Sequence, residues 1–380
     1  MSNAKVYFIW VGQGDCTLIR ADDDTLILID CGTSDSFDIY EDNVKPSIKS
    51  VLTATGKNKI DYLILTHSDK DHCNLVSKLF DFTSFGTTYY GGTIDQYRSY
   101  IYDKATKKPS SKLGAIKELK PHFLNLYEDT IIDTADFKMW IIGGNYPYSH
   151  DAPDTPFKRD INKYHNTKRT RAIFDNNGNS LMVVINYKDF LMMFLGDATS
   201  VQQQFIYDKA VAKGVSLESR LLKMSHHGSP DSFNKDMTNK GIKPLGVTAS
   251  AGVTFGHPSL QSIESITSVE KSGKDTHLLV LYDEDEDQYD NYKDVDEFIF
   301  NTMQQFETSS ITVPTKTKTG KKRRRDPHAG EAYLEMTGSN WIFEITSKTE
   351  ATISKTADAV ILTTKGTRAV TAKKRKKPSS

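Results

Sequence analysis

Apolar positions open the chain in short β-branched and aromatic runs. Val6-Tyr7-Phe8-Ile9-Trp10-Val11, Cys16-Thr17-Leu18-Ile19-Arg20 and Thr25-Leu26-Ile27-Leu28-Ile29 are separated by Gly-Gln-Gly and Asp22-Asp23-Asp24. This pattern predicts three strands joined by turns. Residues 44–56 predict a helix, with Pro46 near its start and Gly56 at its stop. The apolar run within residues 60–66 predicts a buried strand, and residues 75–85 a helix after it. Short strands are expected at 87–90, 122–127 and 136–142.

Residues 143–179 break this rhythm with Asn, Asp, Pro and His. A segment so long and polar is expected to shape the rim of a site. Leu181–Tyr187 and Phe190–Leu195 then predict a hairpin, 199–213 a helix, and Leu221–Met224 a short strand. A helix is expected at 259–272, after Gly256-His257-Pro258, and an exposed acidic loop from Asp283 to Asp296. A β-like stretch follows at Trp341-Ile342-Phe343-Glu344-Ile345. Pattern alone gives a mixed α and β chain. Its expected division is a globular domain over 1–300 and a basic extension over 301–380 with some β structure and a disordered tail.

The chain has 380 residues, of which 37% are hydrophobic, enough for a sizeable core. No run approaches the ~18 apolar residues of a membrane helix. The N-terminus has no basic, apolar and small-residue succession of an export signal. Cys16, Cys31 and Cys73 are the three cysteines, too few for a disulfide framework. The expectation is a cytoplasmic protein with no membrane partner.

The net charge is zero but unevenly spread. Residues 311–380 hold 16 basic and 6 acidic side chains, a surplus of +10, so the rest carries −10. Lys321-Lys322-Arg323-Arg324-Arg325 and Lys373-Lys374-Arg375-Lys376-Lys377 are dense basic runs. Such runs bind nucleic acid by releasing its counterions, or simply remain solvated; both readings stay open.

The chemistry concentrates in His67-Ser68-Asp69-Lys70-Asp71-His72, just after the strand at 60–66. Four metal-competent side chains lie within six residues. Imidazole and carboxylate together suit Zn²⁺, Mn²⁺ or Fe rather than Ca²⁺. Gly12-Gln13-Gly14-Asp15 lacks the Gly-Lys-Ser/Thr ending of a phosphate-binding P-loop, which excludes nucleotide binding of that kind.

The six-residue cluster resembles the H-x-H-x-D-H signature of the metallo-β-lactamase fold, in the variant form H-x-D-x-D-H. Val11-Gly12-Gln13-Gly14-Asp15-Cys16, Leu28-Ile29-Asp30-Cys31-Gly32, Leu195-Gly196-Asp197 and Ser225-His226-His227-Gly228-Ser229 look like further motifs of that family, in order. With the Asn-rich stretch Asn176, Asn177, Asn179-Ser180-Leu181, the series is most similar to the hydrolase domain of ComEC/Rec2 competence proteins, here without their membrane channel. The resemblance covers roughly residues 5 to 270. It implies an α/β fold, an αββα sandwich of two mixed β-sheets flanked by helices. It also implies two divalent cations, Zn²⁺ or Mn²⁺, about 3.5–4 Å apart. Carried over, His67 and Asp69 would hold one ion, Asp71 and His72 the other, and Asp197 would bridge.

Asp69 stands where most of the superfamily has His, which makes the site harder and more negative. His122, His150 and His165 fall where relatives carry another His ligand, but none lies in a motif. Strand alternation is expected to point His226 and His227 in different directions. His227 is favoured as a ligand and the other as a proton donor or phosphate partner, while Asp71 stands at the reacting centre. Asp30 is expected to orient the ligand loop by accepting a hydrogen bond. Asn179 and Ser229 are expected to line the pocket; His257 is expected to supply the last superfamily ligand or line the pocket, or equally to be a turn residue fixed by Pro258. The expected activity is phosphodiester hydrolysis through a metal-bound hydroxide, with DNA as substrate and residues 321–325 as the nucleic-acid contact. The alternatives are a small-molecule hydrolase (cyclic nucleotide or phosphocholine-type diester, lactone or thioester) and a nucleic-acid-binding module with a structural metal.

Overall fold

Alternation along the first strands decides which core each side chain enters. In the computed structural model, β1 (Ala4–Phe8), β2 (Cys16–Arg20) and β3 (Leu26–Cys31) form an antiparallel meander. Ala4, Val6, Phe8, Ile19, Ile27 and Ile29 face one core, while Leu18, Leu26 and Leu28 face another. From β3 the sheet continues in parallel through β4 (Ile60–Leu65), β5 (Phe85–Tyr90) and β6 (Ala115–Glu118). The structure describes residues 3–35, 37–119, 130–145 and 176–229. Beyond these it describes a few single residues and the strands named below.

On the other side of β1 the same sheet adds Trp341–Ser347, Glu350–Lys355, Asp358–Thr363 and Arg368–Val370, all antiparallel. The second sheet runs from Ile311–Thr312 through Ala332–Thr337, His277–Leu281, Gly246–Ser250, Leu221–Lys223, Phe190–Phe194, Met182–Tyr187 and Phe137–Gly144 to His122–Phe123. Its middle strands are parallel, and its 137–194 portion is antiparallel. Strands beyond residue 300 thus complete both sheets. Phe343, Ile345 and Ala351 lie in the core between the sheets.

The inter-sheet core is aromatic at its centre. The Phe8 ring lies 5.6 Å from that of Phe343, edge to face, and 6.2 Å from that of Phe194. The outer face of the first sheet is covered by the helix Lys45–Thr55, which buries Ile48, Val51 and Leu52. Pro46 sits in its first turn, and Gly56 ends it at φ 66°, where a Cβ is costly. The result is the expected α/β sandwich of two mixed sheets with helices outside.

Several expected elements shift. Of the helix expected at 75–85 only a single turn, Val76–Leu79, forms; another turn, Lys70–Cys73, precedes it, and β5 begins at Phe85. Thr83 closes the helical stretch, its N–H donating to the Leu79 carbonyl at 2.9 Å, while its Oγ donates to the Asn58 carbonyl and Ile60 N donates to the Ser84 carbonyl as β4 begins. The first strand ends at Phe8 rather than Val11. The helix expected at 259–272, the loop Asp283–Asp296, His150, His165 and His257 lie outside the described residues. Among the described residues, no helix is long and apolar enough to cross a membrane.

Phe343→Ala removes a fully buried ring that faces Phe8. The expected cost is about 3–5 kcal/mol of unfolding free energy, read from urea denaturation. A loss under 1 kcal/mol would mean that the 341–347 strand contributes little to the sandwich.

Candidate metal centre

The site forms where strand ends from both sheets meet. β3 delivers Asp30 and β4 delivers Thr66, His67 and the loop to His72. The strand Phe190–Phe194 leads to Asp197, and Leu221–Lys223 leads to His226 and His227. Carboxyl ends of parallel strands are a usual place for sites in open α/β sheets. Two glycines permit the approach. A Cβ on Gly32 would lie 2.5 Å from the backbone of Asp71, His72 and Cys73, and one on Gly196 would lie 2.8 Å from the Thr66 side chain.

The ligand-competent atoms fall into two groups. His67 Nε2 lies 3.5 Å from Asp69 Oδ2 and 3.7 Å from Asp197 Oδ2, and His226 Nε2 is also 3.7 Å from Asp197 Oδ2. On the other side, His72 Nε2 lies 3.1 Å from Asp197 Oδ1, and His227 Nε2 lies 3.3 Å from Asp71 Oδ2. Asp197 thus turns Oδ2 toward His67 and His226 and Oδ1 toward His72, and His67, His72 and Asp197 also lie close enough together to hold one ion among them. His67 Nε2, His72 Nε2, His227 Nε2 and Asp197 Oδ1 are buried and make no hydrogen bond of normal geometry. Buried polar atoms left without partners are costly, and their convergence fits divalent cations. His67, Asp69, Asp71, His72, Asp197, His226 and His227 are the residues that could hold them.

Asp30 anchors the ligand loop. Its Oδ1 accepts from the Thr66 N–H at 2.8 Å, and its Oδ2 accepts from Thr66 Oγ at 2.6 Å and from His72 Nδ1 at 2.8 Å. A proton on His72 Nδ1 leaves Nε2 as the free lone pair. The Thr66 hydroxyl, having donated to Asp30, can accept from His67 Nδ1 at 3.1 Å, which fixes the same tautomer there. Ser180 Oγ, 3.3 Å from His67 Nδ1, also accepts from the Asp197 N–H at 3.0 Å.

The Asn-rich stretch contributes differently along its length. Asn176 Nδ2 donates to Asp69 Oδ1 at 2.8 Å, leaving Oδ2 toward His67. Asn179 is buried and its backbone carbonyl accepts from Asn145 N at 3.3 Å. Ser229 closes the histidine turn through its N–H to the His226 carbonyl at 2.8 Å.

His226 and His227 do diverge, but not by strand alternation, because the strand ends at Lys223. Both residues are left-handed, at φ 49° and 53°, a conformation rare for residues other than glycine. His227 is fully buried, while His226 is about a third exposed and its Nδ1 lies 3.1 Å from Ser232 Oγ. The expected nucleic-acid run falls largely outside the described residues, with only the backbone of Lys322–Arg323 described as a short strand.

A family model of the Metallo-beta-lactamase superfamily matches residues 9–236, which includes all of these side chains. The chain belongs to this superfamily. No curated protein matches the sequence. Among solved structures, the chain is similar to CmlA, a diiron beta-hydroxylase from Streptomyces venezuelae (11% identity, 91% of this chain and 55% of that one, TM-score 0.40). It is also similar to MEM-A1, a subclass B3 metallo-beta-lactamase from a soil metagenome library (12% identity, 60% and 79%, TM-score 0.32). A third is a diphosphatase from the PhnP family (12% identity, 72% and 85%, TM-score 0.31). Membership in the metallo-β-lactamase superfamily supports a metal-dependent hydrolase in general. The fold fixes no substrate.

Charges in this metallo-β-lactamase site are tightly coupled. Burial opposes a charged His227, but the Asp15 and Asp197 carboxylates outweigh it and hold the ring at about 9. His72 is likewise raised, burial being overcome by Asp197 and Asp30. Burial disfavours the Asp71 carboxylate, yet His227 and His72 bring it down to about 2. Asp197 is held well below the usual carboxylate range, His72 and His227 outweighing its burial.

Two residues that matter here carry no motif signal on their own. Lys223, buried to 4% exposure, places Nζ 2.7 Å from Asp15 Oδ1, and Thr66 links Asp30 to His67. A lysine directly after the buried apolar pair Leu221-Leu222 was the available hint for the first.

Metal binding must displace protons from His72 and His227. A raised histidine stabilises the metal-free fold fully below its unfolded value of 6.5, and this contribution disappears as pH rises through about 9. The metal-free protein is therefore expected to lose melting temperature between pH 6.5 and 9, while the stabilisation gained on adding Zn²⁺ grows over the same interval. Thermal unfolding in chelator and in Zn²⁺ measures both. A metal-induced shift that shrinks with pH would contradict the assignment of these rings.

Asp197→Ala should remove both ions rather than one, because its two oxygens face separate groups. Metal content by emission spectroscopy, beside circular dichroism, tests this. Retention of one full equivalent in a folded variant would mean that Asp197 does not bridge.

Proposed function

We propose that this chain is a dinuclear phosphodiester hydrolase acting on nucleic acid, with DNA as the preferred substrate and Zn²⁺ or Mn²⁺ as its ions. The observation that carries the reading is the single carboxylate, Asp197, turned toward two separate ligand groups at the mouth of the sandwich. Two cations at such a centre supply a low-pKa water and offset charge that develops on phosphorus. Asp69, a carboxylate held by Asn176, suits harder ions than an imidazole would.

The rest falls to the chain's own side chains. His226, about a third exposed and beside Asp197, is suited to protonate a leaving oxygen. Lys70 projects from between Asp69 and Asp71, where an ammonium meets an anionic substrate. Phe37, exposed at 46%, has Lys78 Nζ 4.8 Å from its ring centre and Lys70 Nζ 6.0 Å away. An aromatic face with cations beside it suits a base and its phosphate. The resemblance of the motif series to ComEC/Rec2-type hydrolase domains and the basic runs of the sequence point the same way. A cytoplasmic location is part of this reading.

The test is a metal-swap assay with double- and single-stranded DNA, RNA, cyclic dinucleotides and bis-p-nitrophenyl phosphate. Metal-dependent DNA cleavage is expected, abolished by chelator. Replacing Lys321, Lys322, Arg323, Arg324 and Arg325 with Ser should weaken DNA binding and flatten its salt dependence, by about 0.9 in log–log slope per lost phosphate contact. Turnover of the chromogenic diester should be unchanged. Diester turnover with no cleavage of any nucleic acid would move the small-molecule reading ahead. Metal binding with no turnover of any substrate would favour a structural metal.

A further inference from the structure

One buried charge pair lies behind the ligands and is not used by the chemistry above. Lys223 Nζ lies 2.7 Å from Asp15 Oδ1, with 5% and 6% of the two side chains exposed. Lysine is almost never so buried without a partner. The pair joins the two halves of the sandwich: Asp15 belongs to the turn between β1 and β2, and Lys223 ends a strand of the second sheet. Asp15 is also tied to the ligand loop, since its N–H donates to the Asp71 carbonyl at 3.0 Å and its carbonyl accepts from Gly32 N at 3.1 Å.

The same carboxylate faces a histidine of the site. His227 Nδ1 lies 3.4 Å from the Asp15 Oδ1 that Lys223 grips, an electrostatic contact rather than an aligned hydrogen bond. The opposite nitrogen, Nε2, faces Asp71 Oδ2 at 3.3 Å. A carboxylate beside Nδ1 keeps the ring proton on that side and leaves Nε2 for a cation. Asp15, His72 and His227 also form a compact trio that could hold an ion by themselves. An ammonium at 2.7 Å, however, already supplies a positive charge to Asp15.

We infer that Lys223 is a positioning residue: through Asp15 it sets the ring orientation and tautomer of His227, across the sheet boundary, so that His227 completes the ion site with Asp71, His72 and Asp197. Asp15 is then an orienting acceptor for His227 and not a ligand. The inference rests on the metal-centre part of the function proposed above and not on its nucleic-acid part.

The test uses the full chain and a single probe, Zn²⁺, titrated against a chromogenic chelator. Melting of the metal-free protein and the ¹⁵N signals of its histidines are read alongside. Lys223→Met should weaken the ion that His227 helps to hold by about 10–100-fold, the scale seen when a ligand's orienting partner is lost. Read above pH 9, where the metal-free ring is neutral, it should also move His227 toward a mixture of tautomers. The neutral pair Asp15→Asn with Lys223→Met removes the buried charges together, so its metal-free melting temperature should return toward the parent's. Its ion affinity should stay low, because an amide no longer holds the Nδ1 proton as a carboxylate does. In a His227→Ala background, Lys223→Met should change ion affinity no further.

Parent-like ion affinity in the neutral pair would overturn the inference and leave the ion pair a purely structural clamp. An added loss in the His227→Ala background would do the same, since Lys223 would then act by another route. Failure of both Lys223→Met and the neutral pair to fold would likewise assign the pair to holding the sheets together. A parent that binds no Zn²⁺ would remove the metal reading along with the inference. A parent that binds two ions and cuts no DNA would leave the inference standing and remove only the substrate.

Discussion

Five carboxylates, Asp15, Asp30, Asp69, Asp71 and Asp197, crowd one end of the sandwich, and their mutual repulsion is the constraint around which the rest is arranged. At low effective dielectric, like charges a few ångströms apart cost several kcal/mol each, about 4 at 4 Å with an effective constant of 20. Each one is met by a specific partner. Lys223 faces Asp15, the Thr66 N–H and hydroxyl face Asp30, Asn176 faces Asp69, and the imidazoles of His72 and His227 face Asp197 and Asp71. In the metal-free protein the imidazoles carry protons to do this. Divalent ions would take over that task, which couples metal loading, protonation and stability.

Holding these groups requires backbone that ordinary sequence avoids. Asp30, His226 and His227 are all left-handed without being glycine. Each such residue costs of order 1–3 kcal/mol and persists only where its surroundings over-determine it. The surroundings are visible: Asp30 makes three hydrogen bonds, and the His226 N–H and carbonyl are bonded to Gly196 O and Ser229 N. Gly32 and Gly196 remove the atoms that would hold the strand ends apart.

Much of the site could be read from the chain because its ligands sit next to one another or beside distinctive glycines. His67, Asp69, Asp71 and His72 share one loop, while Asp197 and the histidine pair follow apolar strands, so spacing reveals them. The structure brings all of them together with His226. Lys223, Thr66 and Ser232 escaped because their roles depend on partners 6 to 208 residues away, which no local pattern encodes. Within the Asn-rich stretch, spacing could not say that Asn176 reaches Asp69 while Asn179 turns inward. The fold was legible where alternation was strict, as in β1 to β3 and the 182–194 hairpin. It failed at 75–85, where apolar residues satisfied a helical period but Thr83 and Ser84 bond toward β4. The strands after residue 300 were hard to assign because sheet partners so distant in sequence leave no local trace; β1 pairs with Trp341–Ser347 across most of the chain.

The two sheets therefore do more than enclose a core. The first supplies His67, Asp69, Asp71 and His72, and the second supplies Asp197, His226 and His227. No ligand group is complete on one sheet alone, so the spacing of the sheets sets the spacing of the ligands. That spacing is fixed near the centre by Phe8, Phe194 and Phe343 and at the site by Lys223 and Asp15. Close-packed interiors transmit small displacements rather than absorbing them. A change of a fraction of an ångström at the aromatic centre would thus reach Asp197, whose two oxygens face groups assembled from both sheets. Core packing and ion geometry are, in this architecture, two readings of the same inter-sheet distance.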